Sequence, residues 1–500
     1  MKIFLFVLCC IFLCGCGNSI DYLTIRISDF DLNDYTQEIA FLESLFETEE
    51  FKNIGLHHLP NNTDTNTKNQ QPAFFIEFFT SWEYEISNKD LIEIIISKKY
   101  FIPSDDALAQ RTNTTLDACL NGTEKIIQID ELQPPFVALR VDGKTIGDED
   151  YPLIETTGIK IKIDENIKVN KTIEAKLNLL QEFLKQIPKP LIQPMPQPIW
   201  IASGGDMMLE RGATELLLQE GPESIFGATA QLLKSSDVSI VNLEGPISLL
   251  GERARKTYTF RFIPEVAPAL RDTGINVVLH ANNHTFDYGE EAFLDSLINL
   301  SRAGIGFVGA GVDIEAASDP FIFSKGNQTV QVFGLASFPR EMNGWDGVSA
   351  AAGIDRAGML HVGRGGREML KQKFSPDSIN VVVFHGGTEW SLKPDDATRE
   401  LYTDLIASGA DLIIGTHPHI VQGFEWVNGK PVFWSLGNYV FGGMGHIEGG
   451  AYGLFIHLAF YQGKLLYMEP YPLFLNNIRT EVTPAENLNL FYARSRELRR

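Results

Sequence analysis

Between residues 199 and 475 the chain repeats one local pattern. A short, nearly unbroken apolar run ends in small or polar residues that include a carboxylate, an amide or an imidazole. Ile199–Ser203 runs into Gly204, Gly205 and Asp206. Val238–Asn242 runs into Glu244, Gly245 and Pro246. Asn276–Leu279 runs into Asn282, Asn283 and His284. Asn380–Phe384 runs into His385, Gly386 and Gly387, and Asp411–Ile414 runs into Gly415, Thr416, His417, Pro418 and His419. Apolar runs of this length read as buried strands. In open α/β sheets, ligands gather beyond the carboxyl ends of strands. The pattern therefore predicts one site assembled from several strand ends.

The residue types narrow its chemistry. Extended backbone sends residues i and i+2 to the same side, so His417 and His419 are expected to aim at one point. Asp, Glu, Asn and His together suit a divalent transition metal, better Mn, Fe or Zn than Ca or Mg. Single residues have plainer readings: Asp206 as a turn or helix-cap residue, Asp287 as the cap of a helix starting near Gly289, His385 as a core histidine. Five such endings would then be five coincidences.

The hydrophobic pattern also divides the chain. Thr172–Leu184 has helical periodicity. Ile187–Pro198 alternates prolines and is expected to be extended and semi-rigid. The expected parts are a leader over 1–16, an N-terminal α/β domain over 17–186 and a linker over 187–198. A catalytic-type domain over 199–475 and a tail over 476–500 follow. Asn61–Gln71 reads as an exposed loop. Pro134–Gly143 reads as strands and a turn. The N-terminal domain carries little legible chemistry: it reads as a structural extension or, on a loose similarity, as a lobe of a solute-binding protein.

At the start, Lys2 precedes the apolar run Ile3–Leu13, which is too short to span a bilayer and has the layout of a secretory signal. Leu13-Cys14-Gly15-Cys16 resembles the processing box of bacterial lipoproteins, which makes Cys16 the expected lipid-bearing residue. The expectation is a lipoprotein held at a membrane, in the periplasm or on the cell surface. Of the five cysteines, only Cys119 lies outside this leader, so the rest of the chain offers neither an internal disulfide nor a cysteine zinc site. The formal charge of −22 excludes nucleic acid as a partner. An anionic polymer would need local positive charge, for which Arg211, Arg253, Arg255, Lys256 and Arg261 are placed near two of the motifs.

Six segments together resemble the CapA (poly-γ-glutamate capsule biosynthesis) family: Gly205–Arg211, Asn242–Pro246, Asn282–Gly289, His385–Glu389, Gly415–His419 and Ser435–Tyr439. That family belongs to the calcineurin-like metallophosphatase superfamily. The resemblance implies an α/β fold, a two-sheet β-sandwich flanked by helices, over about 199–475. It implies one or two divalent ions (Mn, Fe or Zn) on Asp206, Glu244, Asn283, His385, His417 and His419. It implies His284 as the acid that assists a leaving group, with Asp287 orienting it. Arg211, Arg261, Glu389 and Asn438 are candidates for the substrate side. Where the wider fold usually has Asp-x-His, this chain has Asp206, Met207 and Met208, so one expected histidine is missing.

The expected function is an envelope lipoprotein acting in synthesis, export or processing of a poly-γ-glutamate-like capsule polymer, with that polymer's synthesis machinery as partner. The alternatives are a stand-alone extracytoplasmic metallophosphoesterase or hydrolase, and a non-catalytic component of polymer assembly. The reaction class leans to a metal-dependent hydrolase.

Overall fold

The computed structural model describes residues 196–498, apart from 339, 341–344 and 484–487, and most of residues 103–153 (without 108–112, 116–117, 120–122, 125 and 149–150). In the remainder it describes the backbone of strands Val7–Cys14, Tyr22–Arg26, Leu56–His58, Phe74–Ser81, Ile92–Asp106 and Ile154–Ile163. The Thr172–Leu184 helix, the Asn61–Gln71 loop, Cys16 and the linker up to residue 195 lie outside the described residues. No described helix is long and apolar enough to cross a membrane.

The chain forms two compact units. The first holds the N-terminal strands, residues 113–131 and residues 140–196. Most of its strands form one sheet of mainly antiparallel pairs, in which Val7–Cys14 lies between Tyr22–Arg26 and Phe74–Ser81, and Asn113–Thr114 pairs separately with Arg140–Val141. Val141, Ile146 and Leu153 are buried there. Cys119 is a buried free thiol whose pKa is pushed up to about 11 by burial and by Glu124 and Asp142. It is therefore a poor nucleophile.

The second unit comprises Gln197–Arg500 together with residues 104–112 and 132–139. The apolar runs are strands, as expected. One sheet has the order β4-β3-β2-β1-β12-β13-β14: Gly306–Val308, Val277–Leu279, Val238–Leu243, Ile199–Met207, Tyr452–Tyr461, Lys464–Asn476 and Arg479–Val482. The short β11 (Asn438–Val440) also pairs with β1. The other sheet has the order β5-β6-β7-β8-β10-β9: Phe321–Lys325, Gln328–Ser337, Ile379–Gly386, Leu412–Thr416, Lys430–Leu436 and Val421–Val427. β1 through β4 are parallel to one another, and so are β6, β7, β8 and β10.

The two sheets pack face to face. Ile199, Ile201, Val238, Ile240 and Val277 of the first share one core with Val330, Val332, Val381, Val383, Leu412 and Ile414 of the second. Every second residue of these strands points inward, which is why the runs look almost wholly apolar: the other face is covered too. On the first sheet, Ala202, Val241 and Val278 meet Leu217 of α1 (Ala213–Glu220), Leu233 of α2 (Thr229–Ser235) and Leu270 of α3 (Val266–Asp272). On the second, Val382, Phe384 and Ile413 meet Leu401, Tyr402 and Leu405 of a helix over Asp396–Ala407. The expected two-sheet sandwich flanked by helices is what forms. Each fully buried aliphatic side chain contributes roughly 1.5–3 kcal/mol, so the two-sided burial holds the strand ends rigidly in place.

Three local findings differ from the sequence reading. The stretch 476–500 is no loose tail. Arg479–Val482 adds a strand to the first sheet, and helix Asn489–Leu498 packs beside β9, with Ser495 Oγ accepting the Phe424 N–H at 2.8 Å. Residues 132–139 group with the second unit. Finally, His417 and His419 are not extended. Their φ values are 93° and 56°, so a left-handed turn after β8, not strand pleat, brings them together. Gly205 explains how β11 fits beside β1: a Cβ there would lie 1.9 Å from the Gly437 carbonyl oxygen.

Candidate metal centre

The parallel order of the strands sends their carboxyl ends to one edge of the sandwich. β1 ends with Asp206 and Met207, β2 is followed by Glu244, and β3 leads to Asn282, Asn283 and His284. From the other sheet, β7 carries His385 and β8 leads to His417 and His419. All are buried: Asp206, Glu244 and His385 are 0% exposed, and His284, the most open of the set, is 8%.

Ligand atoms of Asp206, Glu244 and His385 lie within 4.8 Å of one another. His385 Nε2 is 3.0 Å from Asn283 Oδ1 and 3.1 Å from His417 Nδ1. His419 Nδ1 lies 3.3 Å from Asp206 Oδ2, and its Nε2 lies 3.7 Å from Glu244 Oε1. Each sequence-predicted ligand thus reaches the same small volume.

Hydrogen bonds behind these atoms fix which face each presents. Asn242 Nδ2 lies 2.7 Å from Asp206 Oδ1, 3.1 Å from His385 Nδ1 and 3.3 Å from Glu244 Oε2, so one amide ties three of these residues together. Asn282 Nδ2 in turn donates to Asn242 Oδ1 at 3.0 Å and to the Leu243 carbonyl at 2.8 Å. Thr416 Oγ1 donates to the Phe384 carbonyl at 3.0 Å, so it accepts from His385 Nδ1 at 3.1 Å. His385 Nε2 faces the Asn283 oxygen and the His417 ring. That is the usual arrangement of a metal-ligating imidazole, with its other nitrogen donating to a fixed partner.

The electrostatics fit a cation. Glu244 Oε1 is buried with no hydrogen-bond partner. Burial, and then the neighbouring Asp206, push the Glu244 carboxyl well above its ordinary range. Burial and the adjacent imidazoles hold His385 and His417 well below theirs, so both are neutral and able to ligate. Burial alone would lower His419 too, but Glu244 and Asp206 outweigh it and raise it to about 10. Without a metal, the His419 imidazolium is the positive charge between the two carboxylates. A divalent cation would supply that charge and leave the imidazole free to ligate.

The proposed acid and its partner meet as expected. His284 Nδ1 is 2.6 Å from Asp287 Oδ2, which turns Nε2 inward, 3.8 Å from Glu244 Oε1. The Phe260 ring covers His284 with centroids 4.3 Å apart. Asp287 does not cap the helix Gly289–Arg302, whose capping residue makes no side-chain bond.

The substrate-side candidates divide. Arg211 lies exposed at the rim, with its guanidinium bonded to the Gly442 carbonyl and set over Phe260. Arg261 stacks on Tyr288 at 4.0 Å. Glu389 is exposed, and its charge is felt by both Glu244 and His419. Asn438 is wholly buried and engaged: its Oδ1 lies 2.8 Å from His419 Nδ1 and its Nδ2 donates to Gly450 O at 2.8 Å. It orients His419. Met208 is buried in the outer core among apolar residues.

Sequence reasoning did not assign Asn242, Asn282 or Thr416 a role. The available signal was the amide two residues before Glu244, and the doubled asparagine before His284.

Residues 200–443 match the family described as bacterial capsule synthesis protein PGA_cap. The chain is 30% identical over 241 residues to the PGA biosynthesis protein CapA of Bacillus subtilis (strain 168), covering 47% of this chain and 62% of that one. It is 29% identical over 248 residues to the capsule biosynthesis protein CapA of Bacillus anthracis, covering 47% and 58%. The matched region thus spans about three fifths of these relatives' length. A crystal structure of a phosphatase from Mycoplasma pneumoniae aligns over 56% of this chain and 95% of its own, at 15% identity and a TM-score of 0.37.

The geometry separates ligand from acid. His417→Ala should lose bound metal in elemental analysis of the purified, metal-loaded protein, whereas His284→Ala should retain it. Equal loss in both variants would make His284 a ligand.

Proposed function

We propose a metal-dependent envelope function for this chain, whose residues 200–443 belong to the bacterial capsule synthesis protein family PGA_cap. The reading is a hydrolase or transferase acting in synthesis, export or processing of a poly-γ-glutamate-like polymer. The observation that supports it best is the buried Glu244 oxygen, unpartnered among Asp206, Asn283, His385, His417 and His419. The relatives' names supply the polymer.

In this reading Asp206, Glu244, Asn283, His385, His417 and His419 would hold one or two divalent ions. Among the described residues, Met208, which stands where the wider fold has a histidine, is buried in the outer core and offers no such ligand. A bound divalent ion would make hydroxide available near neutral pH and polarise the scissile phosphoryl or acyl group. His284 Nε2, facing the centre, donates a proton to the departing group. Asp287 fixes the ring for that task through Nδ1. Phe260 shields His284 from water. Arg211 and Arg261 offer positive charge at the rim of a chain that is otherwise strongly anionic, which suits a polyanionic substrate. The missing histidine is the observation that favours the other reading, a non-catalytic component of polymer assembly.

Turnover separates the two. Metal-loaded protein is expected to cleave a generic phosphodiester or a γ-glutamyl polymer, and His284→Ala should slow cleavage by roughly 10²–10⁴-fold. No turnover of either substrate by metal-loaded protein would leave the assembly reading standing.

We propose further that Cys16 carries a lipid anchor, on the strength of Leu13-Cys14-Gly15-Cys16 behind an apolar leader. Cys16→Ala should abolish labelling by a fatty-acid probe and release the protein from membranes. Labelling that persists in the variant would place the lipid on another residue.

A further inference from the structure

The stretch between β2 and α3 has no regular secondary structure, yet it is tied to the centre at several points. Ala254 N–H donates to the Asp287 carbonyl at 2.7 Å, and Phe260 N–H donates to Asp287 Oδ2 at 2.7 Å. Between them stands Lys256, whose side chain is 0% exposed. Its ammonium lies 2.8 Å from Asp287 Oδ1 and donates to the Asn283 carbonyl at 2.5 Å. The Trp345 ring takes another side, 4.2 Å from Nζ. A charge is retained in such a place only when paired and hydrogen-bonded.

The two acceptors serve different tasks. Asn283 offers Oδ1 beside His385, and Asp287 orients His284. Trp345 extends the connection. It stacks on Phe338, with centroids 5.9 Å apart and planes at 10°. Phe338 in turn lies 6.1 Å from the His385 ring and 5.9 Å from the His417 ring. One ammonium therefore touches the ligand and acid loop of the first sheet and, through two rings, leans on the histidines of the second.

We propose that Lys256 is a positioning residue for the centre. Its ammonium fixes the Asn283 carbonyl and the Asp287 carboxylate together. This holds Asn283 Oδ1 beside His385 Nε2 and keeps His284 turned toward Glu244. The inference rests on the metal reading above. Residues that orient metal ligands from behind typically change metal affinity about 10–100-fold when removed.

The test uses Co(II) as a probe, because its visible absorbance reports both affinity and coordination geometry. Full-length wild type, Lys256→Met and the double variant Lys256→Met/Asp287→Asn are titrated, with circular dichroism confirming the fold. The double variant guards against the single one failing to fold, since it leaves no unpaired buried charge. The expected result is a folded variant that binds Co(II) about 10–100-fold more weakly, with an altered band pattern from the ion that does bind. Wild-type affinity and bands in a folded variant would overturn the positioning role. Wild type that takes up no Co(II) would instead remove the metal reading itself, and this inference with it.

Discussion

The structure turns on two carboxylates buried side by side. Asp206 and Glu244 end neighbouring parallel strands, are wholly shielded from water, and both lie within hydrogen-bond reach of a single amide, Asn242. Removing an ionised carboxylate from water costs several kcal/mol even after relaxation. A fold keeps two together only where a proton or a positive charge offsets the second negative charge, and burial beside Asp206 raises the Glu244 carboxyl well above its ordinary range. In the chain itself the positive charge is the His419 imidazolium, which the pair raises to about 10. Glu244 Oε1 still has no hydrogen-bond partner. The neutral His385 and His417 and the Asn283 oxygen stand around the same point. A cation would satisfy all of these groups at once.

Fold and site are one arrangement. Parallel order in both sheets puts the ligand-bearing ends on one edge, and the shared core between the sheets holds those edges together. Helices on the outer faces make each strand apolar on both sides, which frees the strand ends to be the polar part. Behind the ligands lies a layer of amides and hydroxyls: Asn242, Asn282, Thr416 and Asn438. Asn242 bonds Asp206 and Glu244, Thr416 bonds His385 and Asn438 bonds His419, while Asn282 holds Asn242 in place. This layer, more than the ligands, sets which atom of each side chain faces inward.

The strands and the gathering of the candidate residues at their ends were legible in the sequence because both depend on local pattern. A two-sided apolar run followed by a polar residue reads the same in one dimension as in three. The sandwich followed from the family resemblance of six short segments. What was not legible depended on partners far away in the chain. His417 and His419 converge through left-handed turns, which the strand argument did not anticipate. Asn438 was a candidate for the substrate side, but its amide is spent on His419 and Gly450. Lys256 read as one of several positive charges available to an anionic polymer, and only folding shows it buried against Asp287. The stretch after residue 476 has weak periodicity, and its strand and helix gain their order from packing on the sandwich.

The central claim is that the Asp206–Glu244 pair and the surrounding histidines hold a divalent metal. Anomalous diffraction from crystals grown with Mn(II) or Zn(II) tests it most directly. The account predicts an anomalous peak in coordination contact with Glu244, Asn283 Oδ1, His385 and His417. An electron-density map with no peak there, and with His419 still bridging the two carboxylates, would contradict it.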